Sequence, residues 1–169
     1  MFNYIEFIAD KYNFQRAVST SPNSVVYTFR NKDGILFEVS FWLKSFFDEE
    51  INDTDVDTWV REYKIVDNKH DHFQQVNKGD AFSIIKTVTD ITIEFINKYK
   101  PNKITIEHIP TEKELDKVGL SNYDPEEDYA TWSNYESQRA LINKRFLEKN
   151  LPKNYRYKLS GIFSYITRK

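Results

Sequence analysis

The stretch from Val25 to Leu43 reads VVYTFR-NKDG-ILFEVSFWL and predicts a β-hairpin. Apolar and aromatic residues recur at every second position on both sides of NKDG, a period that is typical of strands with one buried face. The Asp33-Gly34 pair supplies the positive φ that a tight hairpin turn requires. Residues 59–66, WVREYKIV, alternate in a similar way and predict a third strand.

A long helix is predicted between residues 80 and 99. Apolar side chains recur at intervals of three and four residues along one helical stripe, at Ala81, Ile84, Val88, Ile91 and Phe95. Asp80 occupies the expected N-cap position, and Pro101 follows the end of the pattern. The β-branched run at 87–93 favours a strand instead, but about twenty residues between these two boundary signals exceed the length of an ordinary strand.

The remaining segments predict a strand, a helix and a second hairpin. The strand covers 103–109, the helix 135–150, and the hairpin strands 155–159 and 162–167. The helix is expected to bury Ala140, Leu141 or Ile142, Phe146 and Leu147. Residues 110–133 form an acidic connection, and connections of this length are either functional or disordered. The order of elements predicts a single α+β domain over residues 1–169, with an antiparallel or mixed sheet and two main helices packed on one face.

Composition excludes several kinds of chemistry. The 169 residues include no cysteine, which removes disulfides, thiolate nucleophiles and Cys-ligated metal centres. Four glycines lie too far apart for a dinucleotide-binding or Walker A loop, and three histidines, at 70, 72 and 108, do not form H-E-x-x-H. With 24 Lys and Arg against 26 Asp and Glu, the chain has no global basic field. We expect a globular domain without these motifs.

Two segments resemble a pattern of small tailed-phage proteins of unknown activity. Gly79-Asp80-Ala81-Phe82 leads into Thr87-Val88 and Ile91, then Lys100-Pro101 and the strand to His108. The later helix of those proteins is marked Ser-Arg-x-x-Leu-Tyr-x-Arg, and residues 138–145 read QRALINKR here. Both arginines and the apolar position are kept, whereas Gln138 and Asn143 replace the Ser and the Tyr. The resemblance implies a phage source and no particular mechanism.

The N-terminal residues predict a cytoplasmic protein. They lack the positive region and apolar stretch of a signal peptide, and no run of about 18 apolar residues follows. For a phage-encoded chain, the compartment is the host cytoplasm. We expect no interaction with a membrane.

His70-Asp71-His72 is where two imidazoles lie together in the sequence. On a strand, His70 and His72 point to the same side, so both reach one Zn²⁺ or Mn²⁺ with a carboxylate from elsewhere. No recognised ligand spacing completes the set, and the acidic run at 53–57 lacks the glycine and glutamate of a calcium-binding loop. We therefore expect no metal and no cofactor. A small metal-dependent nuclease or hydrolase that uses His70 and His72 is the alternative.

The C-terminal quarter of the chain is basic. Residues 144–169 contain eight Lys and Arg and one acid, with aromatic residues between them. Cations that meet phosphates and rings that stack on bases favour single-stranded nucleic acid, while an ordinary sheet edge gives the same alternation. The candidate binding residues are Arg139, Lys144, Arg145, Lys149 and Arg156. Arg139 is expected to be paired or partly buried, and the other four to form an exposed basic patch.

Charge is segregated along the chain, because segments 48–57 and 112–128 are acidic and the C-terminal quarter is basic. Such a surface favours docking to another protein or self-association into a homo-oligomer. The leading hypothesis is a phage accessory or interaction protein, more consistent with binding than with catalysis, that binds a host or viral macromolecule. A protein partner is expected, and nucleic acid is the other macromolecule considered. A virion or assembly component is a further alternative for the function.

Overall fold

The hairpin predicted at residues 25–43 begins the sheet. In a computed structural model, which describes residues 10–18, 21–47, 57–66, 80–108, 110, 112–119 and 134–169, β2 (Ser24–Arg30) pairs antiparallel with β3 (Leu36–Leu43). The amide of Gly34 donates to the Asn31 carbonyl, and that of Asn31 to the Ile35 carbonyl. Gly34 has φ of 77°, so it supplies the left-handed residue of a three-residue turn.

All strands in the described part of the chain join one seven-stranded sheet, ordered β1-β2-β3-β4-β5-β7-β6. The other strands are β1 (Phe14–Arg16), β4 (Thr58–Ile65), β5 (Lys103–Glu107), β6 (Tyr155–Ser160) and β7 (Phe163–Arg168). β4 and β5 are parallel, and the other neighbours are antiparallel. The strands predicted at 59–66 and 103–109 and the C-terminal hairpin are confirmed, and the sheet is mixed.

Two long helices cover one face of this sheet. The helices are α1 (Lys44–Phe47), α2 (Ala81–Tyr99), α3 (Glu112–Lys117) and α4 (Gln138–Asn150). α2 forms the crossover that parallel strands β4 and β5 require. The Arg61 side chain on β4 donates to Thr92 of α2 and to Asn143 of α4, so both helices lie on the same side. The predicted α+β class is confirmed, whereas the short helices α1 and α3 were not predicted.

The predicted stripe of α2 packs against the hairpin. Ile84, Val88, Ile91 and Phe95 are buried, and the Phe95 ring stacks on Phe41 of β3 with centroids 3.9 Å apart. Aromatic pairs of this kind add about 0.5–1.5 kcal/mol to the free energy of burial. Periodicity therefore identified the core helix, because the buried stripe outweighs the weak helix propensity of its β-branched residues.

Asp80 does not cap α2 with its side chain. Its backbone is right-handed (φ −102°, ψ −11°), and its carboxylate makes no cap hydrogen bond. The carboxylate accepts instead from Asn31 Nδ2 at 2.9 Å and from the Tyr12 hydroxyl. This buried residue ties the hairpin turn to the start of α2, a long-range role that the local sequence did not indicate.

α4 is capped by Ser137, whose hydroxyl accepts from the Ala140 amide at 3.1 Å. Leu141 and Ile142 are only half-buried, and the polar Asn143 is fully buried. The expectation that Leu141 or Ile142 fills this inward position is wrong, because Asn143 accepts there from Arg61.

Candidate functional site

The long helices α2 and α4 cover one face of the C-terminal half of the sheet, and among the described residues neither lies over the other face, called here the uncovered face. Ile104 on β5 points to the helices and is fully buried. Since neighbours along a strand point to opposite faces, Lys103 projects from the uncovered face. By the same alternation, Tyr165 on β7 and Arg156 and Lys158 on β6 project there too. Two strands, β5 and β6, therefore place cations on either side of an aromatic ring on β7, the strand between them.

These side chains surround a shallow groove of about 550 Å³, named here the basic groove. It is lined by Lys103, Arg156, Tyr157, Lys158, Tyr165 and Thr167, of which Tyr157 has its side chain on the opposite, helix-covered face, where it hydrogen-bonds to Ser164. Strand register brings them together, because Thr167 pairs with both Lys103 and Arg156, and Tyr165 pairs with Lys158. The result is a contiguous surface of basic and aromatic groups across three strands.

The Tyr165 ring is the aromatic platform of the basic groove. The Lys103 ammonium lies 5.0 Å from its centroid, within the range of a cation–π contact. The Phe163 ring lies 6.4 Å away on the same strand and is tilted by only 22°. Together the rings form an apolar surface flanked by positive charge.

The uncovered face is basic at the groove and acidic farther along the strands. The six residues that line the groove include three cations and no acid. Farther along the same face, the β4–β5 register places Glu62 beside Glu107. Burial and the neighbouring Glu62 raise the pKa of Glu107. A ligand with negative charge is therefore favoured at the groove end of the face.

The structure divides the predicted basic patch between two surfaces. Arg156 lines the basic groove, whereas Lys144, Arg145 and Lys149 lie on α4, which packs on the opposite face of the sheet. Arg145 and Lys149 are exposed and Lys144 is half-buried. Arg139 is half-buried on α4, with its guanidinium 5.9 Å from a ring centroid on β4. The sequence did not indicate this division. Residues of α4 and β6 are close in sequence, but the helix and the outer face of the strand lie on opposite sides of the sheet.

The predicted metal candidates His70 and His72 lie outside the described residues, as do positions 48–56. Within the described ranges, no three His, Asp or Glu side chains form a group able to hold a metal ion.

A second cluster, the buried polar cluster, lies between the helices and the sheet. Its members are Arg61, Thr92, His108, Asn143, Tyr157 and Ser164. Arg61 Nη1 donates to Thr92 Oγ1 at 3.1 Å, and Nη2 reaches Asn143 Oδ1 at 3.4 Å. Ser164 Oγ hydrogen-bonds both to His108 Nε2 and, at 2.6 Å, to the Tyr157 hydroxyl. Polar groups from β4, β6, β7, α2, α4 and the end of β5 therefore meet in the interior.

The imidazole of His108 is neutral in this cluster. Burial, with the positive charges of Arg61 and Arg139, lowers the pKa of His108 to about 3. Both His108 and Ser164 are almost completely inaccessible to solvent, at 2% and 0% exposure. A substrate cannot reach this Ser–His pair in the observed conformation, so the pair orients Tyr157 and fills the interior.

Sequence reasoning missed Lys103 as a member of the groove and Arg61 as a member of the polar cluster. For Arg61 a signal was present, since it occupies an inward position between Trp59 and Tyr63 on an otherwise apolar strand face. A charge at such a position needs an interior partner. For Lys103 no local signal exists, because β7 inserts between β5 and β6 only in the folded sheet.

Comparisons of the chain with protein-family models, with curated proteins and with solved structures give no match. The described helices include none with the length and apolar character needed to cross a membrane.

Proposed function

We propose that this protein is a phage-encoded interaction protein that binds a macromolecule of the host or the virus through the basic groove. Its compartment is then the host cytoplasm. The observation that carries the proposal is the arrangement of Lys103, Arg156 and Lys158 around the Tyr165 ring on an uncovered sheet face. The short sequence patterns shared with tailed-phage proteins support the source.

The macromolecule that this chemistry fits best is single-stranded nucleic acid. Cations on the two strands that flank β7 match successive phosphates, and the ring on β7 offers a stacking surface for a base of any sequence. An acidic protein segment would use the same cations but would gain little from the ring. Recognition with little sequence preference is expected, because the cations contact phosphates and an aromatic ring stacks on any base.

Binding of a fluorescent oligothymidylate to the full chain, measured by anisotropy, tests this assignment. Neutralisation of three phosphates by three cations predicts a log–log salt slope of about −2. Replacing both Arg156 and Lys158 with Glu should abolish binding, and Tyr165→Ala should cost about 1–3 kcal/mol of stacking free energy.

Lys98→Glu is the matched control, because Lys98 is exposed on α2, on the opposite side of the sheet. It changes the net charge by the same amount as either one of the two charge reversals in the groove, and it should leave binding within about twofold of wild type. Binding that resists salt, or that is equally weak in Lys98→Glu and the groove variants, would exclude the groove as a nucleic-acid site. Absence of binding at low ionic strength would leave an acidic protein partner as the macromolecule to seek.

A further inference from the structure

The Tyr165 ring has a cation on one side and a carboxylate on the other. Its partner in the neighbouring strand β5 is Thr105. Lys103 and Glu107 lie two residues before and two residues after Thr105, so all three project from the uncovered face. Diagonal neighbours of this kind lie about 7–8 Å apart, within reach of long side chains and aromatic rings. The strand register therefore places opposite charges at the two edges of one aromatic platform.

The strand on the other side of the platform follows the same division. At one end, the register brings Arg156 on β6 level with Lys103 on β5. At the other end, Phe163 pairs with Glu107 and with the neutral Ser160. The phosphates of a bound single strand are attracted to the first end by its two cations. The base that stacks on the platform then has its edge directed toward the Glu107 carboxylate.

The Glu107 carboxylate is accessible to a ligand. The side chain is exposed at the end of β5. Among the residues that the structure describes, it has no hydrogen-bond or ion-pair partner, and the charge that acts on it is the like charge of Glu62. Like charges on adjacent strands repel, so this carboxylate does not stabilise the sheet. Its two oxygens are therefore open to hydrogen bonds from a bound base.

We propose that Glu107 selects guanine at the nucleotide that stacks on Tyr165. The inference rests on the proposed function, since it concerns the same groove and the same single strand. An ionised carboxylate has two acceptor oxygens and no donor. Guanine presents two adjacent donors on its Watson–Crick edge, N1–H and the 2-amino group. The two groups form a pair of parallel hydrogen bonds, as an arginine does with a carboxylate.

The other bases fit this carboxylate less well. Adenine and cytosine each present one amino donor next to a ring nitrogen that accepts, and thymine has a single N–H between two carbonyl oxygens. In each case an acceptor of the base lies opposite a carboxylate oxygen, where lone pairs repel. Phosphate contacts and stacking carry little sequence preference, so this one nucleotide is where the uncovered face reads sequence.

Anisotropy measurements on the full chain test the selection. The probe is a fluorescent decathymidylate in which one central thymidine is replaced with deoxyguanosine, deoxyadenosine, deoxycytidine or deoxyinosine. The guanine oligonucleotide should bind about tenfold more tightly than the unsubstituted one, which is the order of magnitude for a bidentate contact. Deoxyinosine lacks the 2-amino group, so most of this gain should disappear. Equal binding of all the oligonucleotides, or a preference for a base other than guanine, would overturn the selection.

Variants assign the preference to the carboxylate. Glu107→Gln should remove the guanine preference without weakening the binding of oligothymidylate, because one acceptor and the negative charge are lost. Lys103→Gln should weaken the binding of all the oligonucleotides alike and keep the preference. Glu94→Gln, at an exposed position of α2, is the matched control and should change neither quantity. A guanine preference that persists in Glu107→Gln would show that another group selects the base.

The experiment separates the selection from the groove itself. If none of the oligonucleotides binds at low ionic strength, the proposed function fails and the selection fails with it. If oligothymidylate binds and guanine gives no gain, the groove remains a nucleic-acid site and the selection by Glu107 alone is overturned.

Discussion

The covered face of the sheet has an apolar half and a polar half. Under α2, Phe41 and Phe95 stack with centroids 3.9 Å apart, and Trp59 packs edge-on against the same Phe95 ring at 5.1 Å. Under α4, the interior holds the buried polar cluster, with a guanidinium at its centre. The same strand, β4, contributes Trp59 to the first half and Arg61 to the second.

The two halves differ in how much they contribute to the free energy of folding. Packed rings gain free energy from burial and from their mutual geometry. A buried charge gains little net free energy even when it is paired. Among the described residues, the hydrogen-bond partners of Arg61 are all neutral. The polar half therefore contributes less to the stability of the fold than the apolar half does.

The largest expected effect lies in the apolar half. Phe95→Ala removes a fully buried ring from contact with three aromatic neighbours and should lower the free energy of unfolding by about 3–5 kcal/mol. Lys98→Ala, three residues later on the exposed side of α2, should change it by less than about 0.5 kcal/mol. Urea denaturation measures both. Similar small losses from the two variants would show that the apolar half does not carry the stability.

A smaller effect is expected for an amide of the polar half. Asn143→Ala leaves Arg61 with one neutral acceptor fewer and should cost about 1–3 kcal/mol in urea denaturation. Asn150→Ala is the matched control, since both amides donate to the carbonyl four residues earlier but Asn150 is exposed. A neutral Asn143→Ala variant would show that this contact to Arg61 contributes nothing.

The smallest effect concerns pH. His108 has a folded pKa of about 3 against 6.5 when exposed, so the unfolded chain binds the additional proton. The contribution of His108 to stability is present above pH 6.5 and is lost as pH falls toward 3. Between pH 6.5 and 5 the loss should be about 1.7 kcal/mol, somewhat less than the full 1.36 kcal/mol per pH unit because the unfolded imidazole is already half protonated at pH 6.5. Unfolding measured across this range should show a shallower decline in His108→Gln, and parallel curves would contradict the buried, neutral imidazole.

Local patterns predicted most of the elements and part of the groove. The alternation at 25–43 and the three–four spacing after Asp80 report which side of an element is buried, and both were confirmed. The same alternation indicated that Arg156 and Lys158 face solvent. The role of Asp80 was not predictable, because Asn31 is 49 residues away along the chain.

The sequence by itself determined the strand and helix periods, since burial of one face imposes a repeat that nearby residues display. Only the tertiary structure decided which of these faces meet. Arg61 and Asn143 are 82 residues apart and His108 and Ser164 are 56 apart, yet each pair is in contact. The position of β7 between β5 and β6 likewise brings Lys103 to Tyr165. These contacts depend on the packing of whole layers, and no local repeat encodes them.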